Sequence, residues 1–388
     1  MKVLTINSGS SSLKVALFDM KSEKRLSFLE VEKIGERVSR MIFQKETVFE
    51  GEVKSHFEAI EIVEDFLSKR DILKNFNHLF AVGHRVVHGG EKFKKSVLVD
   101  RDVMREIERL SSLAPLHNPA NLKGIEAVLK KSSKVPQVAV FDTSFHQTLP
   151  KEAFLYAIDY NLYEKEGIRR YGFHGTSHSY VAKEAAKIVG KSLKELNLIT
   201  LHLGNGASAA AIKRGKSIET SMGFTPLEGL VMGSRSGDID AGAILYLLKK
   251  GFDFESLDYL LNKNSGLKGL CGVNDMREIE KRIDKERFRE AFDVFCHRIK
   301  KYIGAYMAVL GRADVLVFTA GIGENSALVR EKVCSGLDVF GIKIDKEKNR
   351  NGQIDISKED SKVKVLVIRT DEEIEIARES VRVVSKIC

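Results

Sequence analysis

Tryptophan is absent from the 388 residues, and the chain has only five prolines and four cysteines. With so little proline and no low-complexity run, nothing marks a flexible linker. Cys271, Cys296, Cys334 and Cys388 are scattered without a CxxC pair, so they read as buried or free thiols rather than a disulfide framework or a zinc site. No apolar run approaches the roughly 20 residues that cross a bilayer. Met1-Lys2-Val3-Leu4-Thr5-Ile6 reaches polar Asn7 before a signal-peptide core can form, and the expectation is a cytoplasmic protein with no membrane partner. Two nucleotide motifs are also missing. No GxxxxGK[ST] loop occurs, and Gly321-Ile322-Gly323 is not followed three residues on by a third glycine, which disfavours hydride transfer on a dinucleotide.

What is present is a globular composition, 43% hydrophobic and 30% charged, long enough for two cores. Lys and Arg outnumber Asp and Glu 63 to 54, a formal charge of +9. The basic residues are spread along the chain, with no basic tract interleaved with aromatics. The charge therefore reads as a solvated surface plus a local anion site, without a nucleic-acid partner.

Two apolar runs, Val3–Ile6 and Leu13–Phe18, flank the small polar turn from Asn7 to Ser12, which predicts a β-hairpin. The runs Leu198–Leu203 and Ala209–Ile212 enclose Gly204-Asn205-Gly206-Ala207-Ser208 in the same way. A third loop, Thr319–Asn325, follows the apolar strand Val315–Phe318. The repeated hairpin predicts two similar α/β halves. Helical periodicity is expected over His56–Lys69, Val103–Leu110, His178–Val189, Glu286–Leu310 and Glu372–Val384. Glycine turns let backbone N–H groups approach an anion closely, and three such loops at strand ends point to phosphate. Asn7, Ser10, Ser12 and Lys14 supply the amide, hydroxyls and ammonium that a magnesium-phosphate group needs.

Gly83–Gly90 puts Arg85 inside a strand-like apolar run, where it needs an anion or an ion-pair partner. Met232–Asp238 sets Arg235 among glycines and serines. Two arginines in small-residue surroundings suit a transferring phosphoryl group, whose charge spreads over its equatorial oxygens. His84/His88 and His174/His178 share the i, i+4 spacing of some zinc sites, but neither is HExxH, and Gly175 opposes a helix running through His174. His84, His88, His146 and His178 are assigned to packing.

In one order along the chain, the segments Asn7–Lys14, Gly83–Glu91, Pro115–Asn118, Phe141–Pro150, Tyr171–His178, His202–Ser208, Ser221–Asp240, Asp275–Arg277, Gly321–Asn325 and Thr370–Glu373 resemble the acetate and propionate kinase family over essentially its whole length. The resemblance implies an α/β fold of two duplicated actin-like (ribonuclease-H-like) ATPase domains around a nucleotide cleft. On this reading residues 1–150 with the helix 374–388 form an acyl-side domain, and residues 151–373 a nucleotide-binding domain. It implies reversible, direct in-line phosphoryl transfer between ATP and acetate, giving ADP and acetyl phosphate, with magnesium (or manganese in its place) and a homodimer. Carried over by position, Asn7 and Glu372 would hold the metal, and Lys14 would face the nucleotide phosphates. Arg85 would hold the carboxylate, Arg235 would lie across the transferring group, and His174 would donate to its oxygens. Asp142 is placed as essential with its role open between acid/base and orientation. Val87, Leu116, His117, Phe173 and Pro226 would form the acyl side. His202, Leu203, Gly204, Asn205, Gly206, Asp275, Met276, Arg277, Gly321, Ile322, Gly323, Glu324 and Asn325 would contact the nucleotide. Departures are few: Asp371 stands where asparagine is usual, Ser234 where threonine is common, and Ala120 and Ala241 where proline is. Two other readings are carried, a propionate kinase and an ATP-driven chaperone-like interaction protein. Against the second, the sequence ends soon after Glu372, leaving no client-binding domain.

Overall fold

The apolar runs at the start of the chain pair as a hairpin, Lys2–Ser8 (β1) against Ser12–Asp19 (β2), with Ser8 opposite Leu13 and the Gly9 amide closing the turn onto the Ser12 carbonyl at 2.8 Å. The computed structural model describes residues 1–115 and 117–386. The chain divides into two units, Met1–Phe145 with Asp371–Cys388, and His146–Thr370.

Unit 1 continues with Lys24–Glu32 (β3), Ser39–Phe43 (β4), Glu46–Gly51 (β5), Ala81–Val86 (β6), Val97–Leu98 (β7) and Gln137–Phe141 (β8). The sheet runs β5-β4-β3-β2-β1-β6-β8-β7, with β1, β6 and β8 parallel. Every residue of β8 is buried, as a strand covered on both faces requires. The helix His56–Lys69, capped by Ser55 accepting from the Glu58 amide, turns Ile60, Val63 and Leu67 into a core with Leu4, Ile6, Leu13 and Val15.

Unit 2 holds Asn197–Leu203 (β9), Ala207–Lys213 (β10), Lys216–Thr220 (β11), Val315–Thr319 (β12) and Lys364–Val367 (β13), in the order β11-β10-β9-β12-β13. Strand for strand this repeats β3-β2-β1-β6-β8, with the same antiparallel and parallel pairings. The expected duplication is thus present, hairpin included.

The helix that follows β13, Glu372–Val384, packs on β1, β6 and β8 of unit 1. Gly83 on β6 permits this: a Cβ there would overlap Ser380 Oγ and lie 2.6 Å from Ile376 Cγ2. The helix Gly175–Val189 packs on β9 and β12.

His56–Lys69, Glu286–Leu310 and Glu372–Val384 form as expected. The other two helices shift, to Arg101–Arg109, where Asp100 caps, and to Gly175–Val189, which starts after His174 in the left-handed region at φ 56°. Asn118–Lys131, Ala241–Lys249 and Phe254–Lys263 are additional helices. No helix among the described residues is long and apolar enough to cross a membrane.

Candidate active site

In unit 1 three parallel strands end beside one another, and each ends on a chemically capable residue. Asn7 and Arg85 each stand one residue from the end of their strands, β1 and β6, and Asp142 follows β8. Carboxyl ends of neighbouring parallel strands are where open α/β sheets bind ligands. Arg85 grips Asp142 with a fork, Nη2 to Oδ2 at 2.6 Å and Nε to both carboxylate oxygens at 3.1 and 3.2 Å. Its Nη1 donates to Asn7 Oδ1 at 3.4 Å, and Glu372 Oε2 stands 3.9 Å from its Nε. Burial would weaken the Arg85 proton, but Asp142 and Glu372 outweigh it and hold the guanidinium more firmly charged.

Glu372 opens the helix on β6, and its carboxyl group is pushed up to about 7. Burial is the main cause; Arg85 and Lys14 oppose it, and Asp142 and Glu373 add to it. Lys14 lies directly across from Asn7 in the hairpin and pairs with Glu30 on β3 at 3.2 Å.

The irregular segment beyond β6 is held by two buried asparagines of the helix Asn118–Lys131. Asn121 accepts from the Val87 amide at 3.0 Å and donates to the Ser8 carbonyl at 2.8 Å, tying the ends of β6 and β1 together. Asn118 accepts from the His88 amide at 3.0 Å and donates to the His88 carbonyl at 3.1 Å. Val87 is buried, His117 is exposed at the start of that helix, and Leu116 lies outside the described residues.

In unit 2 the turn Gly204–Gly206 after β9 and the helix Ala320–Asn325 after β12 open onto a cavity of about 650 Å³. That volume is in the range of ligand pockets. Gly204, Asn205, Asp275, Met276, Arg277, Gly321, Ile322 and Asn325, all expected at the nucleotide, line it together with Asn274, Glu280 and Ser326, which were not. Leu203 and Gly323 pack beneath the turn, 3.7 Å apart if a Cβ is built on the glycine. Glu324 is used by the backbone: its Oε1 accepts from the amides of Ala320 at 2.9 Å and Thr370 at 3.0 Å.

Asn205 is set by a close approach. Its carbonyl accepts from the Gly233 amide at 2.9 Å, and any side chain at Gly233 would collide with Asn205 Oδ1. Gly233 belongs to the Ser221–Asp240 stretch, which has neither helix nor strand and carries Arg235. Arg235 Nη1 donates to the Pro226 carbonyl at 2.6 Å, and no carboxylate among the described residues pairs with it. Burial therefore lowers its proton affinity with nothing to oppose it. A Cβ built on Gly206 would lie 2.7 Å from Arg235 Nη2 and 3.5 Å from His174 Nε2, so Gly206 brings both donors to one point.

His174 stacks on His202 with ring centroids 4.1 Å apart, and His202 Nδ1 meets Ser177 Oγ at 2.8 Å. Phe173 is buried, and its carbonyl accepts from His146 at 3.0 Å. His84, His88, His146 and His178 are all buried, matching their assignment to packing.

A half-buried arginine lacking a carboxylate, beside glycine turns and a cavity of ligand size, has the chemistry to receive a phosphoryl group. The acetokinase family model matches residues 2–378. The chain belongs to the acetokinase family. It is 53% identical over 384 residues to an acetate kinase of Sulfurimonas denitrificans, covering 98% of both chains. It is similar to the crystal structure of Porphyromonas gingivalis acetate kinase, with 44% identity, a TM-score of 0.94, and 98% and 99% of the chains covered. A propionate kinase from Francisella tularensis is similar at 42% identity and a TM-score of 0.93, with 98% and 99% covered. The acetokinase reading thus rests on the whole chain. Reasoning from sequence passed over Asn121 and Glu280; the one available signal was the Asn-x-x-Asn spacing of Asn118 and Asn121 at a helix start.

Proposed function

We propose that the protein is a carboxylate kinase that moves the γ-phosphoryl group of ATP directly to acetate. A carboxylate oxygen attacks phosphorus, the bond to the bridging oxygen breaks, and ADP leaves with that electron pair. Acetate is ionised at pH 7, so the attack needs no base. Asp142 then orients: its fork with Arg85 fixes the guanidinium that receives the carboxylate. Unit 2 binds the nucleotide, and unit 1 the acyl group and phosphate ends. Arg235 and His174 donate to the equatorial oxygens, where charge spreads in the transition state.

The observation that carries this reading is Arg235, a half-buried cation without a carboxylate partner in a chain of this family. Magnesium fits the residues of unit 1. One carboxylate, one amide oxygen and a ligand's phosphates are a usual magnesium set, and the raised Glu372 carboxyl beside Asp142 and Glu373 is the group a divalent cation would relieve. Glu372 and Asn7 would hold the ion, which supplies charge neutralisation on the phosphates when bound.

A homodimer is supported by Leu245, Tyr246, Leu248, Phe254 and Tyr259, large apolar side chains exposed by 46–76% on two neighbouring helices of the sequence. A cytoplasmic setting suits free thiols at Cys271, Cys296 and Cys334. The test is acyl-phosphate formation from MgATP, trapped as the hydroxamate, with formate, acetate, propionate and butyrate. Acetate should give fast product, and the propionate ratio decides the preferred acid, since one methylene shifts selectivity only about 10- to 200-fold. ATP consumption without hydroxamate from any acid would overturn the proposal and favour an ATP-driven interaction protein.

A further inference from the structure

Behind His174, within unit 2, runs a line of hydrogen bonds that none of the assigned roles explains. Thr200 on β9, Ser208 on β10 and His178 on the helix Gly175–Val189 are all fully buried. Ser208 lies opposite His202 and Thr200 is two residues before His202, so all three strand residues share one face of the sheet. Thr200 Oγ1 is 2.7 Å from His178 Nδ1, His178 Nε2 is 2.8 Å from Ser208 Oγ, and Ser208 Oγ is 2.9 Å from His174 Nδ1.

Each hydroxyl has one proton, so with both imidazoles neutral the line runs unbroken in only two senses; a Ser208 accepting from both rings would leave its own buried proton without an acceptor. In one, His174 Nδ1–H donates to Ser208, Ser208 to His178 Nε2, and His178 Nδ1–H to Thr200. The Thr200 proton is then left without an acceptor, because its hydroxyl makes no other hydrogen bond among the described residues. A buried donor without an acceptor costs about 1–3 kcal/mol. In the other sense Thr200 donates to His178 Nδ1, His178 Nε2–H to Ser208, and Ser208 to His174 Nδ1. Every proton between Thr200 and His174 Nδ1 then has an acceptor, and within the line only an oxygen lone pair on Thr200 goes unfilled. Burial, followed by the nearby His146 and His202, keeps His178 neutral by lowering its proton affinity well below the ordinary histidine range.

We propose that Thr200, His178 and Ser208 form a proton-ordering line that holds the neutral form of His174 as the tautomer protonated on Nε2. That nitrogen stands 3.5 Å from the point above Gly206 that Arg235 Nη2 approaches at 2.7 Å. The line thus aims an N–H donor where the phosphoryl oxygens are placed, and the stack on His202 restrains the ring plane. The three residues are positioning residues. Their value to catalysis rests on the reading of His174 given above; the tautomer itself does not.

The test is 15N NMR of the imidazoles in histidine-labelled full-length protein, with the His174 signals assigned by their loss in His174→Gln. The expected result is an unprotonated Nδ1 and a protonated Nε2 at His174. Thr200→Val keeps the shape and removes the proton that orders the line. It should abolish the single-tautomer pattern and lower kcat on the order of 10-fold, with both KM values within about 2-fold, and Thr200→Ser should restore both. A His174 protonated on Nδ1 in the unmodified protein would overturn the proposal, as would a Thr200→Val variant with the original pattern. A correct tautomer in a protein that forms no hydroxamate would uphold the line and refute the kinase reading, so the two failures are distinguishable.

Discussion

Glu372 offers a prediction whose sign and size both come from its surroundings. Its carboxyl group is pushed from an ordinary value of 4.5 to about 7 in the folded chain, chiefly by burial. Between these values the folded chain holds a proton that the unfolded chain has lost. The unfolding free energy therefore falls as pH rises through this window. At about 1.4 kcal/mol for each pH unit of the window, the loss is on the order of 3 kcal/mol, complete above about pH 8. Glu372→Gln mimics the protonated group and removes this loss. Urea midpoints of both proteins, measured from pH 3.5 to 8 in a chelator, should coincide below about pH 4. They should separate as pH rises, with the glutamine variant the more stable. Other titrating groups are common to both chains and drop out of the difference. Adding magnesium should stabilise the unmodified protein at pH 8 and leave the variant nearly unmoved. A difference independent of pH would refute the assignment of a strained carboxylate, and equal magnesium protection would remove Glu372 from the metal.

Three further outcomes follow from other residues. Arg235→Ala should lower turnover on the order of 10²- to 10³-fold with native-like melting, since no carboxylate is orphaned; near-normal hydroxamate rates would end its role. Gly206→Ala should displace Arg235 Nη2, 2.7 Å from the new methyl group, and reduce kcat more than it raises KM for MgATP; unchanged kinetics would show that Arg235 does not act there. Burial lowers His84 and His88 from 6.5 to about 4, so the unfolded chain binds more protons between these values and stability, full above pH 6.5, drains as pH falls toward 4. Acid unfolding curves should carry this slope, and replacing both histidines by glutamine should flatten it.

The hairpins were legible because alternation and small turn residues are local signals, and the same signals showed the repeat. The loops at Gly204–Gly206 and Gly321–Asn325 were legible as glycine turns at strand ends, and the fold brings them to one cavity. Partnerships formed at long range were not. Arg85 could be given an anion or an ion pair; the fold supplies Asp142 across 57 residues, which periodicity cannot foresee. Asn121 reads as an ordinary helix residue until its amide is found between β1 and β6. The histidines assigned to packing show the same limit: His178 is buried as expected, yet Thr200 and Ser208, neutral in any pattern, give it an orientation. Glu324 illustrates the converse, a motif residue whose carboxylate is engaged by the Ala320 and Thr370 amides. The helices Ala241–Lys249 and Phe254–Lys263 escaped notice because Leu245, Tyr246, Leu248, Phe254 and Tyr259 are exposed rather than turned to a core.

The most direct test of the central claim is the stoichiometry of one reaction, ADP and hydroxamate measured together with MgATP, acetate and hydroxylamine. Direct transfer predicts one acetyl hydroxamate for each ADP, with neither formed at an appreciable rate when acetate is omitted. ADP released without hydroxamate, at a rate indifferent to acetate, would contradict the account.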